Sequence, residues 1–406
     1  MSSADIAWLL TATALVLFMT LPGLALFYGG LVRARNVLSV LMHCFMLAAV
    51  MSVAWVVLGY SLAFSGSGQF IGDLANVFML ATPRGEDQLF ALFQMTFAII
   101  TPALIIGAFV ERVKFGFVIL FSLLWMLLCY APVAHWVWGG GILSSDSSIG
   151  LFAGLGVQDL AGGVVVHTTA GVAALVLAIM IGKRPGFPTS IQPPHQPVLV
   201  MIGASMLWVG WFGFNGGSPF AANGDAVAAA FVTHISAATA CCTWMLWERF
   251  RFGKASLIGI ATGMVAGLAS ITPAAGHVGP MGALVIGGVA GILCQEMINV
   301  VKQAFRIDDS LDVFAVHGIG GIWGTLALPF LAAAGLGGAG LGEGVSAVSQ
   351  FVVQVAGVVV VALFTIVVTV VLAMVCRALV GMRTDADTEQ EGLDLTAHGE
   401  RAYDLS

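Results

Sequence analysis

Apolar residues run along this chain in long blocks separated by short polar segments. A helix needs about 20 predominantly apolar residues to cross the hydrocarbon of a bilayer. Eleven blocks reach that length, at about 6–31, 37–65, 88–110, 115–138, 160–182, 197–217, 226–248, 255–274, 277–301, 313–335 and 346–380. The fold class they predict is all-α, a polytopic membrane protein with eleven transmembrane helices. The longest polar stretches are 66–87 and the tail 381–406, and neither is long enough for a separate soluble domain. Residues 1–380 therefore read as one transmembrane domain and 381–406 as a C-terminal tail.

Composition agrees with lipid as the main solvent. Hydrophobic residues make up 59% of the chain and charged residues only 9%, against about 25% charged in a soluble domain. So few charges, mostly in short loops and the tail, argue against a nucleic-acid partner. The six cysteines, Cys44, Cys129, Cys241, Cys242, Cys294 and Cys376, all lie in apolar runs without a CxxC spacing, and read as inert thiols. No basic stretch precedes the first apolar run, which reads as a retained span, not a removed leader.

The basic residues set a direction. Arg33 and Arg35 follow span one, Arg112 and Lys114 span three, Lys183 and Arg184 span five, Arg249, Arg251 and Lys254 span seven, Lys302 and Arg306 span nine, and Arg377, Arg383 and Arg401 end or follow span eleven. Fourteen of the fifteen fall on one side, with Arg84 alone on the other. Positive charge marks the cytoplasmic face. The expected topology is an outside N-terminus and a cytoplasmic C-terminus in the inner (plasma) membrane.

The chain also contains a repeat. Span five opens with Asp159-Leu-Ala-Gly-Gly-Val-Val-Val-His167, and span ten with Asp309-Ser-Leu-Asp-Val-Phe-Ala-Val-His317. Ile100-Thr-Pro-Ala103 in span three recurs as Ile271-Thr-Pro-Ala274 in span eight. Phe27-Tyr-Gly-Gly30 ends span one and Phe214-Asn-Gly-Gly217 ends span six. All three matches pair span n with span n+5. A five-span unit has an odd number of crossings, so its second copy inserts upside down. The halves are about 6–182 and 197–335, with the helix at 346–380 packed outside them. Inverted repeats place the substrate path where the halves meet.

That path receives two histidines. Eight helical residues advance about 12 Å, so His167 and His317, entering from opposite faces of a layer about 30 Å thick, are both expected near its middle. An ionisable group at that depth is costly and marks function. A metal site would need further ligands, and Asp159 and Asp309 lie too far along their helices. An enzyme would need a carboxylate or nucleophile at the same depth, and the sequence offers none. His43, His135, His234 and His277 lack such pairing and read as packing residues. Near the outer face, Trp138 ends span four, Phe214 and Ser218 end span six, and Phe97 lies inside span three. A Trp face attracts a desolvated cation and a hydroxyl accepts its hydrogen bonds.

Phe27-Tyr-Gly-Gly-Leu31, Gly107-Ala-Phe-Val-Glu111-Arg112, Trp138-Gly-Gly-Gly141, Asp159-Leu-Ala-Gly-Gly163, Gly210-Trp-Phe-Gly-Phe-Asn215, Asp308-Asp309 through Asp312-Val-Phe-Ala-Val-His317-Gly, and Glu391-Gly-Leu-Asp-Leu-Thr-Ala-His-Gly-Glu400 together resemble the Amt ammonium transporter family. They recur in order over nearly the whole chain. Leu160 departs from the aromatic residue common beside the family's Asp. The resemblance implies a homotrimer of independent pores carrying ammonium or ammonia, with methylammonium as an analogue, and no cofactor. It implies an outer recruitment site at Trp138, Ser218, Phe97 and Asp159, gate rings at Phe97 and Phe214, pore histidines at His167 and His317, and structural roles for Asp309 and Asp312 at the inner end. The tail carries seven carboxylates against two arginines from Arg383 onward. In the resembling proteins it packs on the cytoplasmic face, where a PII-type regulatory protein docks on bacterial members. An ammonium sensor acting on a cytoplasmic signalling partner is the alternative reading; no appended signalling domain follows span eleven.

The chemistry suits a dry pore. Ammonium matches potassium in size, and a hydrated filter would pass both. An apolar tube penalises any bare ion, but ammonium alone can give up a proton and cross as ammonia. Imidazoles in the tube supply hydrogen bonds and can relay a proton.

Overall fold

The computed structural model describes residues 1–146, 154–190 and 192–403. Its apolar helices, in chain order, are α1 (Ser3–Leu31), α2 (Ala34–Phe64), α3 (Glu86–Ala108), α4 (Phe115–Trp138), α5 (Gly163–Ile181), α6 (Pro197–Gly216), α7 (Gly224–Phe252), α8 (Leu257–Ile271), α9 (Pro280–Ala304), α10 (Phe314–Leu331) and α11 (Ala347–Val380). Ten are long and apolar enough to cross a bilayer; α8 is shorter and gives way to tight turns up to 277. All eleven expected spans are present within about a helical turn of their expected bounds. Two short helices follow in the tail, α12 (Ala386–Glu391) and α13 (Leu393–His398). Among the described residues no β-sheet forms, only an isolated antiparallel bridge between Val113 and Arg383.

Local chemistry sets the helix starts. Ser2 and Asp5 form a reciprocal capping box at α1, and the side chains of Asn223, Ser256 and Ser346 cap α7, α8 and α11. Pro197 and Pro280 occupy the first turns of α6 and α9, where a missing N–H costs nothing.

Corresponding helices of the two repeats pack on each other, α1 on α6 and α5 on α10. α11 lies outside, against α4, α5 and α10. It is tied there by Trp125 Nε1 donating to Thr369 Oγ1 at 3.1 Å and by Gln354 Nε2 donating to the Gln158 carbonyl at 2.8 Å.

One sequence expectation needs correction. Residues 159–162 are not helical, so no eight-residue helical advance separates each Asp from its His. Gly162 turns through the left-handed region at φ 114°, and α5 starts only at Gly163. His167 and His317 sit in the first turns of α5 and α10, both wound as wide π-type turns. The chain reaches the histidines through buried, non-helical entry segments, a form tolerated at membrane depth only where protein surrounds it.

Candidate functional site

The crossing of α5 and α10 sets the centre. A β-carbon on Gly171 would collide with the backbone of Gly318, and one on Gly321 would meet the Gly163 carbonyl and the His167 side chain. Only glycine permits this approach, and it brings the two imidazoles together. His167 Nδ1 and His317 Nδ1 lie 3.2 Å apart. Both rings are buried, at 1% and 4% exposure. His167 also stacks on Trp211, with centroids 5.6 Å apart.

Asp159 and Asp309 close the entry segments. One Asp159 oxygen accepts from the Gly162 and Gly163 amides at 2.9 and 2.6 Å, the other from the Val164 and Val165 amides at 2.8 and 3.0 Å. Asp309 accepts from the Val313 and Phe314 amides at 3.1 and 2.7 Å. Each carboxylate thus satisfies amides that the first helical turn leaves without partners, and its charge suits the positive end of the helix. The Asp159 carboxylate is spent on this cap. Its link to the outer site runs through its backbone carbonyl, which accepts from Trp138 Nε1 at 2.8 Å.

A cavity of about 290 Å³ at the N-terminal end of the bundle, termed the outer cavity after the expected topology, is lined by Phe97, Trp138, Ser218 and Phe220, with Gln94 and Asp146 among its polar neighbours. Ser218 Oγ donates to the Phe214 carbonyl at 2.8 Å, leaving its lone pairs for another donor. At the base of the cavity Phe97 and Phe214 stack with centroids 4.3 Å apart, and Trp138 meets Phe97 edge-on at 6.0 Å. Beneath them lies a pore segment of about 10 Å³ walled by Phe27, Leu104, Trp211 and Phe214, together with both histidines. This narrow space has almost wholly apolar walls. Phe214 is 6.1 Å from His167, so the column of rings is continuous from Trp138 to His317.

On the other side of His317, at the end expected to face inward, opens a space of about 180 Å³, termed the inner cavity and bordered by Phe27, Tyr28, Lys302 and Asp312. Lys302 Nζ pairs with Asp312 at 2.6 Å, and Asp312 holds a left-handed φ of 64°. Behind it runs an ion network. Arg184 pairs with Asp308 at 2.9 Å and Glu111 at 3.3 Å, and Arg33 with Glu111 at 3.1 Å. Burial pushes both carboxyls up, but the guanidinium of Arg184 at Asp308, and those of Arg33 and Arg184 at Glu111, outweigh it and hold both below the usual carboxylate range. The tail docks on this same end. Asp394 accepts from the Leu38 and Ser39 amides, Arg383 pairs with Glu389 at 2.6 Å, and Asn36 accepts from the Leu393 amide.

Thus the structure brings His167, His317, Phe97, Phe214, Trp138 and Ser218 onto one line and turns the Asp159 carboxylate into a helix cap. Sequence reasoning missed Gln94, Phe220, Trp211 and Phe27. Two signals were available among them: a polar Gln94 within an apolar span, and the repeat match that pairs Phe27 with Phe214. Of the remaining histidines, His43 stacks on Phe115, His135 contacts the carbonyls of Ala63 and Gly68, and His234 lies against Trp208 and Phe212.

An inverted-repeat helical bundle with a narrow histidine-centred path between two wider cavities defines a multi-pass membrane transport protein. The sequence matches the Ammonium Transporter Family over residues 7–403, and the chain belongs to that family. It is 44% identical to the ammonium transporter Amt1 of Archaeoglobus fulgidus, over 99% of this chain and 100% of the relative. It is 42% identical to the ammonium transporter of Aquifex aeolicus, over 100% of this chain and 94% of the relative. Among solved structures it is similar to a sensor Amt protein, with TM-score 0.89 and 27% identity over 98% of both chains. It is also similar to Candida albicans Mep2, with TM-score 0.84 and 33% identity over 95% of this chain and 87% of that one.

Proposed function

We propose that this chain is an ammonium transporter that recruits the cation at an outer site, strips its proton and passes ammonia through the narrow pore. The observation that carries this reading is the unbroken column from Trp138 through Phe97 and Phe214 to the His167–His317 pair. Trp138 and Ser218 hold the ammonium ion, with the Phe97 ring beside it. The Phe97–Phe214 stack closes the way to hydrated ions and yields to a small neutral molecule. The histidines then offer hydrogen bonds where nothing else can. Asp159 serves the outer site indirectly, by fixing Trp138 and the start of α5, and Asp309 and Asp312 fix the inner end. No step is enzymatic.

In this reading residues 1–380 form the transport domain and three copies assemble, each with its own pore. The N-terminus lies outside and the C-terminus in the cytoplasm of the inner membrane. The docked tail stands where a PII-type regulator would seal the inner cavity. The sensor reading is supported by the likeness to a sensor Amt protein. Uptake of labelled methylammonium by cells lacking their own transporter separates the two. Saturable uptake that ammonium competes away supports transport, and tight ammonium binding without uptake overturns it in favour of the sensor.

A further inference from the structure

In the wall of the outer cavity lies a buried oxygen that the protein leaves unused. Gln94 is only 5% exposed, lines the same cavity as Trp138 and Ser218, and its Oε1 has no hydrogen-bond partner. It stands three residues before Phe97 on α3, so it occupies the same helix face one turn from the Phe97–Phe214 stack. An unmade hydrogen bond to a buried amide oxygen carries the full cost of its desolvation. The groups around it do not relieve that cost. Phe90, Phe93, Phe97 and Phe220 have nothing to donate, and the Ser144 and Ser145 hydroxyls that share the cavity do not bond it. The indole N–H of Trp138 is given to the Asp159 carbonyl, and the Ser218 hydroxyl proton to the Phe214 carbonyl. Gln94 Oε1, itself closed to solvent, and Ser218 Oγ thus keep unused lone pairs at the wall of a cavity that aromatic rings share with Ser144, Ser145 and Asp146. That is the complement of a small cation carrying several N–H donors.

We propose that Gln94 is a further recruiting residue, whose side-chain carbonyl accepts one N–H of the incoming ammonium while Ser218 accepts another and the Trp138 face takes the charge. Two oxygens fix the orientation of a tetrahedral donor set, which one hydroxyl and a ring do not. The residue therefore governs apparent affinity more than the rate of the later, dry steps. This inference rests on the transport reading above.

The test is ammonium transport in proteoliposomes holding the full-length protein, with potassium as competitor, for wild type, Gln94→Met, Gln94→Glu and Trp138→Leu. Methionine keeps the length and removes the acceptor. It is expected to raise half-saturation about tenfold, the scale of one lost hydrogen bond to a charged group, with a smaller change in maximal rate. Glutamate keeps an acceptor and adds charge; it is expected to hold or lower half-saturation while letting potassium compete. Wild-type half-saturation in Gln94→Met alongside a raised value in Trp138→Leu overturns the role of Gln94 and leaves the outer site standing. Wild-type values in both overturn the outer site itself, and Gln94 with it. If Gln94→Met does not fold, the glutamate variant decides: unchanged affinity and unchanged potassium exclusion overturn the proposal.

Discussion

His167 and His317 meet through like atoms, Nδ1 to Nδ1 at 3.2 Å. Two neutral imidazoles can share such a contact only if one donates and the other accepts, so their tautomers are opposite. The donating ring carries its single proton on Nδ1 and the accepting ring carries its own on Nε2. The pair therefore presents the pore with one basic Nε2 and one Nε2–H, a donor and an acceptor side by side in an apolar tube. Exchanging those roles takes coupled transfers: the shared proton crosses between the Nδ1 atoms while the bare Nε2 gains a proton and the other Nε2–H gives one up, so the pair's net charge is unchanged.

Replacing either histidine with alanine is expected to leave a folded, inserted oligomer, because the lost ring faces the narrow pore. Ammonium conduction is expected to collapse, or potassium to pass. The double variant is expected to match each single one, since residues acting as a unit are not additive. Currents in proteoliposomes, with folding checked by size exclusion, decide it; selective transport by a well-folded double variant refutes a transport role for the pair.

Trp138→Leu removes the ring face, worth about 0.5–2 kcal/mol to a cation. Half-saturation is expected to rise about two- to thirtyfold by that measure, or potassium exclusion to weaken. Unchanged affinity and selectivity would reduce Trp138 to an interfacial anchor.

Asp159→Ala takes four accepted hydrogen bonds from the first turn of α5. The loss is on the order of 3 kcal/mol or more, so the purified variant is expected to melt well below wild type. Asp159→Asn keeps only one acceptor oxygen and is expected to fall between them. Wild-type melting in the alanine variant would show that the cap is dispensable and that this carboxylate has another use.

The inner network predicts a pH window. Glu111 and Asp308 have folded values below the ordinary ones, so their contribution is complete above the unfolded carboxylate range of about 4. It is lost as pH falls through the lower folded values. Melting of the detergent-solubilised protein is expected to hold steady from neutral pH to about 5 and drop below that range. Glu111→Gln is expected to start less stable and show a shallower acid drop; an acid profile identical to wild type excludes the network as its source.

Cysteine labelling after residue 215 and after residue 252 is expected to report opposite sides, outside and cytoplasmic. Labelling of both from one side refutes the alternation of spans.

The sequence by itself determined the number, order and bounds of the spans, because bilayer thickness sets their length and no other solvent tolerates such blocks. It also determined that the second half is inverted, since a five-span repeat can insert no other way. His167 and His317 were legible because the repeat marked them twice, and Trp138, Ser218, Phe97 and Phe214 because the family resemblance did. What only the tertiary structure decided is which way each helix turns. In a soluble helix the polar face shows it, but here lipid and protein interior are equally apolar, so the hydrophobic pattern carries no rotation. That is why Trp211 and Phe27, though both lie in recurring motifs, were not placed on the pore wall, and why Gln94 gained meaning only beside Ser218. The non-helical turns at Gly162 were hidden for a related reason. An Asp eight residues before a His fits one long helix and a capped short one equally well. Only the close approach of Gly171 to Gly318, which needs both helices in place, selects the second.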